Sequence, residues 1–305
     1  MTPRVRADAL GELRRLAKGG LGEVSEALSL KLPESPELSL VYRCYDRTDR
    51  RPATPTFPLE SLARLRLDMP PDQRRALDKQ FCWVLRVVVD DLPGAVGILT
   101  QHWDQTYMVD YADASGDDRR SPAVGSWLTF SDDYFTARSL VAPTPAQRFT
   151  LCRSLALAIG KLHRAGVVYG NLSMAEFLYR LGPSPSVLFT NAESMRLLGA
   201  PPAIGTPPHA SGWEPPEALA THHSGDRIGW NITNVETDRY KLGLAILRIL
   251  VAPTSPEGSD SERNPSRAEG LVPGELADLI SRCLLDDPHT RPSAKDFYLA
   301  LDRYV

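Results

Sequence analysis

The chain has 305 residues, enough for one large domain or two modest ones. A hydrophobic content of 42% and a charged content of 24% are those of a globular protein. The net charge of −3 lacks the basic excess that nucleic acid or an anionic membrane demands, so the expected partners are proteins, with no nucleic acid and no membrane insertion. Four scattered cysteines, Cys44, Cys82, Cys152 and Cys283, sit among apolar residues without the spacing of a metal clamp or redox motif. They read as small buried hydrophobes. The first residues carry no apolar signal region and no uncharged run is long enough to span a bilayer, so a cytoplasmic protein with reduced thiols is expected. None of His102, His163, His209, His222, His223 or His289 has ligand spacing, and no metal site is expected.

In chain order, glycine-rich Gly19-Gly20-Leu21-Gly22 precedes a strand-like run, Leu38 to Tyr45, closed by a turn over Asp46 to Asp49. A helix follows from about Leu59, with Leu59, Leu62 and Leu65 on one face. Strands over Trp83–Val89 and Ala95–Thr100 flank a hairpin signal, Asp90-Asp91-Leu92-Pro93-Gly94. After roughly Val109 the pattern turns helical. Pro145–His163 is a strong amphipathic helix with Thr144 as its cap, and further helices are expected over Thr237–Leu250, over Leu276–Leu285 and from Ser293. The stretch from Pro253 to Pro273, rich in Ser, Pro, Glu and Gly, reads as a flexible loop. The expected class is α+β: a small β-rich lobe with one main helix, residues 1–101, then a larger helical lobe, residues 102–305.

Five motifs occur in a set order. Ala17-Lys18-Gly19-Gly20-Leu21-Gly22-Glu23-Val24 is a glycine turn whose backbone N–H groups could approach phosphate. Leu40-Val41-Tyr42-Arg43 ends a strand on a cation, with Glu60 on the following helix as its expected ion-pair partner. Tyr169-Gly170-Asn171-Leu172-Ser173 leads to Glu176, and Val187–Met195 carries Asn191 and Glu193. Last come Gly212-Trp213-Glu214-Pro215-Pro216-Glu217, Asp238 and Asp287–Pro292 with Arg291.

Together these resemble the motifs of the protein-kinase-like family over nearly the whole chain, most closely the atypical bacterial Ser/Thr kinases. The resemblance implies a bilobal kinase fold. It also implies that Arg43 stands for the ATP-anchoring lysine, Asn171 for the catalytic aspartate, Glu176 for the metal asparagine and Asn191 for the metal aspartate. An amide cannot take up a proton at physiological pH, and general-base catalysis is worth about 10²–10⁴-fold in rate. A carboxamide also offers magnesium only a neutral oxygen. Glu217, Arg291 and Asp238 match the family's structural supports.

The expectation is therefore a pseudokinase acting as a protein-binding scaffold or allosteric regulator. Its expected contact surfaces are the segment from Asn191 to Glu217 and the loop after Val251. The alternatives are a weakly active phosphotransferase using Arg43, Glu176 and Glu193, and a nucleotide sensor. In the sensor, ATP, with Mg²⁺ absent or weakly held, would meet Gly19, Gly20, Gly22, Val24, Arg43 and Glu60. Ser194, Thr206 and Ser211 are the candidate phosphorylation positions of the activation-segment-like stretch.

Overall fold

In the computed structural model, which describes residues 2–46, 53–202, 209–225, 231–251, 262–285 and 287–305, the first hundred residues build a six-stranded sheet. Its strands are β1 (Arg4–Arg6), β2 (Leu13–Lys18), β3 (Glu23–Ala27), β4 (Leu40–Cys44), β5 (Arg86–Val89) and β6 (Ala95–Gln101), in the spatial order β1-β5-β6-β4-β3-β2. All neighbours are antiparallel except β1 and β5. The glycine-rich stretch is the turn of the β2–β3 hairpin, with Lys18 opposite Glu23, and Asp90–Gly94 joins β5 to β6. One face buries Leu40, Tyr42, Leu85, Val88 and Leu99 with Leu10 from the chain start. Helix α1 (Thr56–Leu67) buries Leu59, Leu62 and Ala63, each of the two leucines contributing about 1.5–3 kcal/mol on removal from water. It begins three residues earlier than the leucine spacing indicates. A second helix, α2 (Pro71–Asp78), starts on a proline at its first position, where no backbone donor is needed.

The chain divides into two compact units. One comprises Met1–Trp103 with Phe189–Thr206, the other Asp104–Leu188 with Pro207–Val305. The return of the chain to the first unit is fixed by backbone pairing: Cys82 N–H donates to Phe189 O at 2.7 Å, and Phe189 N–H to Gln80 O at 2.9 Å. Phe81 and Phe189 stack with ring centroids 5.3 Å apart.

The second unit is mainly helical. Pro145–Arg164 is capped as its sequence predicts, Thr144 Oγ1 accepting from Gln147 N–H while the Gln147 side chain accepts from Thr144 N–H. The central helix, Val235–Val251, is buried on nearly every side and is capped by Asn234 and Thr237 in the same reciprocal way. Gly274–Cys283 and Ala294–Leu301 complete the core, the latter capped by Ser293. Gly243 on the central helix is a close-approach position, because a Cβ there would fall 2.7 Å from the Cys283 Cβ. Elements without a strong local signal in the sequence include β1, α2, the hairpin Met108–Ala112/Asp118–Pro122 and the short helices Asp132–Ala137 and Pro216–His223.

Two surface expectations are sharpened. Of the segment from Asn191 to Glu217, Ala192, Glu193, Met195, His209, Trp213 and Pro215 are buried, while Leu198, Gly199, Pro201, Pro202 and Ser211 are exposed. The stretch after Val251 is described only from Glu262. From there it is not a loose loop: Pro265–Ala268 forms a 3-10 turn, Ala268 is fully buried, and Arg248 Nε donates to Glu262 O at 3.0 Å. Part of the expected turn, residues 47–49, and Thr206 lie outside the described residues. Among the described residues no helix is long and apolar enough to cross a membrane.

Candidate functional site

In the second unit the loop from Val167 to Tyr179 hangs on one carboxylate. Asp238 is fully buried on the central helix and accepts from Tyr169 N–H at 2.7 Å and Gly170 N–H at 2.9 Å. The His163 Nε2 atom lies 3.2 Å from the same carboxylate. Gly170 has φ of +83°, a conformation that an L side chain resists. Its carbonyl accepts from Lys241 Nζ at 2.6 Å. Lys241 is fully buried, and burial pulls its ammonium down to about 8 against the pull of Asp238 and Glu176. One turn of helix therefore holds both ends of the Gly170 peptide, Asp238 from its donor side and Lys241 from its acceptor side.

The loop that these groups hold ends in amide chemistry. Asn171 Nδ2 is 3.5 Å from Glu176 Oε1, a long contact, and Asn171 Oδ1 is buried without a hydrogen-bond partner. The fully buried Tyr169 places its hydroxyl 3.5 Å from Glu176 Oε2. Asn171 and Glu176 are thus brought together as neighbours on one loop.

The second support is an ion pair. Arg291 Nη1 and Nη2 donate to Glu217 Oε1 and Oε2 at 2.8 and 2.7 Å, the forked geometry that suits a guanidinium and a carboxylate. Arg291 also donates to Glu236 O at 3.0 Å and lies 5.1 Å from the Tyr240 ring centroid. Nearby in sequence, the buried Trp213 is covered by Arg248 at 4.3 Å, whose Nη2 donates to Gly212 O at 2.8 Å.

The first unit holds the other predicted residues. Arg43 pairs with Glu193, not Glu60: its Nε is 2.9 Å from Glu193 Oε1 and its Nη1 donates to Thr190 O at 2.7 Å. Glu60 is taken instead by Arg4, at 2.7 Å, because β1 docks beside β5 and delivers a nearer guanidinium. Glu193 is 1% exposed, and neither carboxylate oxygen has an aligned hydrogen bond, so its contact with Arg43 is one of charge at short range. Asn191 Oδ1 is likewise buried without a donor. Burial and the nearby Glu193 charge raise the Tyr45 phenol well above its ordinary range.

The glycine turn has a steric reason of its own. Gly22 has φ of +150°, and a Cβ there would fall 2.1 Å from Cys44 O. Asp46 N–H donates to Leu21 O at 2.7 Å and Gly19 N–H to Gly22 O at 2.8 Å, so the turn is tied down onto the end of β4. Gly19 and Gly20 remain exposed, and Val24 sits opposite Arg43. Ser194 Oγ donates to Asn191 O at 3.3 Å, whereas Ser211 is exposed. Among the described residues no three His, Cys, Asp or Glu side chains converge to hold a metal.

Sequence reasoning missed Lys241. Its signal is a charge at the head of the apolar run from Leu242 to Leu247, three residues after Asp238.

No family model matches the chain. Over 168 residues it is 27% identical to the serine/threonine-protein kinase/endoribonuclease IRE1a of Arabidopsis thaliana. That alignment takes in 52% of this chain and 19% of the plant protein, so the chain spans about a fifth of that relative's length. The chain accordingly has a protein-kinase-like relationship, carried by about half of its residues.

Proposed function

We propose that this is a kinase-like protein that does not transfer phosphate and acts by binding other proteins. The reading is carried by one observation: Asp238 and Lys241 hold the Gly170 peptide at 2.7–2.9 Å and 2.6 Å, yet the next residue, Asn171, is an amide. The support of a catalytic loop is complete where its proton acceptor is not. Neither unit taken by itself offers Mg²⁺ a fitting donor set: in the second, Asn171 supplies a neutral carboxamide oxygen beside the one carboxylate of Glu176, and in the first, Asn191 supplies another while Glu193 faces Arg43. No step through a bound metal is therefore derived.

The second reading, a weak phosphotransferase, draws on the Glu176 carboxylate lying 3.5 Å from the Asn171 amide. The two are separated by incubating the protein with labelled ATP and magnesium and following label in the protein and in added acceptors. Label indistinguishable from a no-protein control is the expected result. Transfer that disappears in Glu176→Gln would overturn the proposal. The double substitution Asn171→Asp with Asn191→Asp then asks whether the rest of the machinery persists: restored transfer would locate the loss of activity in those two amides.

A further inference from the structure

We propose that the edge of β5, between Glu60 and Asp91, is a docking site for an extended segment of another protein with the pattern cation–apolar–cation. The chain's own β1 fills that site in cis. This names a partner class for the protein-binding reading above, and rests on it.

The two ends of the six-stranded sheet are protected in different ways. At one end, β2 carries a bulge between Arg15 and Ala17 and exposes Arg14, Arg15 and Lys18, devices that discourage a further strand. At the other, β5 is covered by another strand, and the cover is slight. Arg4, Val5 and Arg6 of β1 lie opposite Val87, Val88 and Val89, and Val87 N–H donates to Pro3 O at 2.8 Å. Val5 is half-buried against the core of the sheet, and each arginine side chain is 53% exposed. Exposed ion pairs are individually weak, so such a strand yields readily to a competitor of the same pattern.

The site is nonetheless selective. Side chains two apart on a strand share a face, and here both meet carboxylates. Arg4 Nε donates to Glu60 Oε1 at 2.7 Å, and Arg6 Nη1 and Nη2 donate to Asp91 Oδ1 at 3.1 Å. Asp8, in the turn after β1, shares Arg6 at 3.2 Å. The Glu60 side chain is only 9% exposed, so a segment that displaces β1 must bring a cation to it or strand a buried charge. In strand addition the backbone ladder supplies affinity and the alternate side chains supply choice. Glu60 and Asp91 make that choice one for guanidinium or ammonium groups two residues apart.

The test adds a labelled, end-blocked peptide identical to residues 2–7, Thr-Pro-Arg-Val-Arg-Ala, to the full chain and follows fluorescence anisotropy. In Arg4→Ala/Arg6→Ala, whose own strand has lost both ion pairs, the peptide should bind about tenfold more tightly than in wild type. Adding Glu60→Gln should remove that gain, and the same peptide with glutamate for both arginines should not bind. Equal affinity in wild type and Arg4→Ala/Arg6→Ala, or equal binding of the glutamate peptide, would sink the proposal. Should the arginine variant fail to fold, hydrogen exchange in wild type decides. Saturating peptide should speed exchange of amides 4–6 and leave Val87 N–H protected, and unchanged exchange overturns the proposal. Absence of peptide binding strikes this partner class alone, since the labelled-ATP experiment tests the absence of phosphate transfer whatever binds at β5.

Discussion

The two regions that carry the kinase-like residues differ in how their polar groups are met. Around Gly170 the buried charges have hydrogen-bonded partners, although the neutral Asn171 Oδ1 does not: Asp238 takes two backbone donors, Lys241 gives to a carbonyl, and Arg291 forks onto Glu217. Around Arg43 the charges meet without alignment, and Asn191 Oδ1 and both Glu193 oxygens lack hydrogen bonds. Buried polar groups are ordinarily satisfied, and a satisfied network specifies one structure. The first region has the marks of a scaffold. The second has the marks of a corner where buried charges meet at short range without hydrogen-bond alignment.

The sharpest way to break the scaffold is Asp238→Ala. It would orphan the Tyr169 and Gly170 N–H groups and leave Lys241 beside no carboxylate on its own helix, at about 1–3 kcal/mol per unsatisfied buried group. A loss of about 4 kcal/mol in urea unfolding is expected. Asp238→Ala with Lys241→Met should recover part of it, since the second change removes the stranded cation. Strictly additive losses would show that the two residues do not act on the same peptide.

Next is Glu217→Ala. The Arg291 side chain is fully buried and would keep its bonds to the carbonyls of Glu236 and Leu285 and its contact with the Tyr240 ring, without a counter-charge at its fork. Removing one partner of a buried pair costs about 3–5 kcal/mol. Because Glu217 is one-third exposed, the expected loss is at the lower end, about 3 kcal/mol. Replacing both residues with apolar side chains of similar volume should cost clearly less. A double replacement as damaging as the single one would mean that the pair contributes binding energy and not only mutual compensation.

What was legible in the sequence follows from the range over which each signal acts. The caps at Thr144 and Ser293 and the central helix are local patterns, and they stand where the residues place them. Glu217, Arg291 and Asp238 are far apart in sequence, and they were found only because each sits in a recognisable short motif. The pairing of Arg43 was misjudged for the same reason inverted. Glu60 is near it in sequence, but Glu193 is 150 positions away, and no local pattern announces that contact. Strand β1 has only three residues, two of them arginines, and exists because it can pair in parallel with β5. The motif suggests a phosphate role for Gly22, and the backbone of Cys44 adds a steric requirement for glycine that no local pattern shows.

A smaller effect isolates Lys241. Its ammonium is pulled down to about 8 in the folded protein by burial, from an ordinary 10.5. Between those values the unfolded chain binds a proton that the native protein does not, so this residue makes stability rise with pH across that window. Below pH 8 both states are protonated and the burial penalty is present in full. Wild type should therefore gain stability relative to Lys241→Met between pH 8 and 10, on the order of 1–3 kcal/mol. Taking the difference between the two proteins cancels the phenols and thiols that titrate nearby. Parallel stability profiles would mean that Lys241 stays charged throughout, and that Asp238 and Glu176 outweigh its burial.

The smallest effect returns to the first unit and asks whether its charges are all as loosely matched as those at Arg43. Arg4 is half exposed but donates its Nε to Glu60 at 2.7 Å, an aligned bond onto a carboxylate that is 9% exposed. Exposed pairs contribute about 0–1 kcal/mol, and here the buried partner moves the expectation for Arg4→Ala to the top of that range, about 1 kcal/mol, shrinking in high salt. Arg43→Gln with Glu193→Gln removes a meeting of charges at 2.9 Å, against 2.7 Å for Arg4 and Glu60, together with a carboxylate that has no aligned donor, so its expected cost is smaller still. Chemical unfolding of both variants at low and high salt ranks them directly. If the Arg43–Glu193 variant were the more damaged, the charges at that corner would be holding the unit together, and the contrast between an anchored loop and a loosely matched corner would fail at its weaker end.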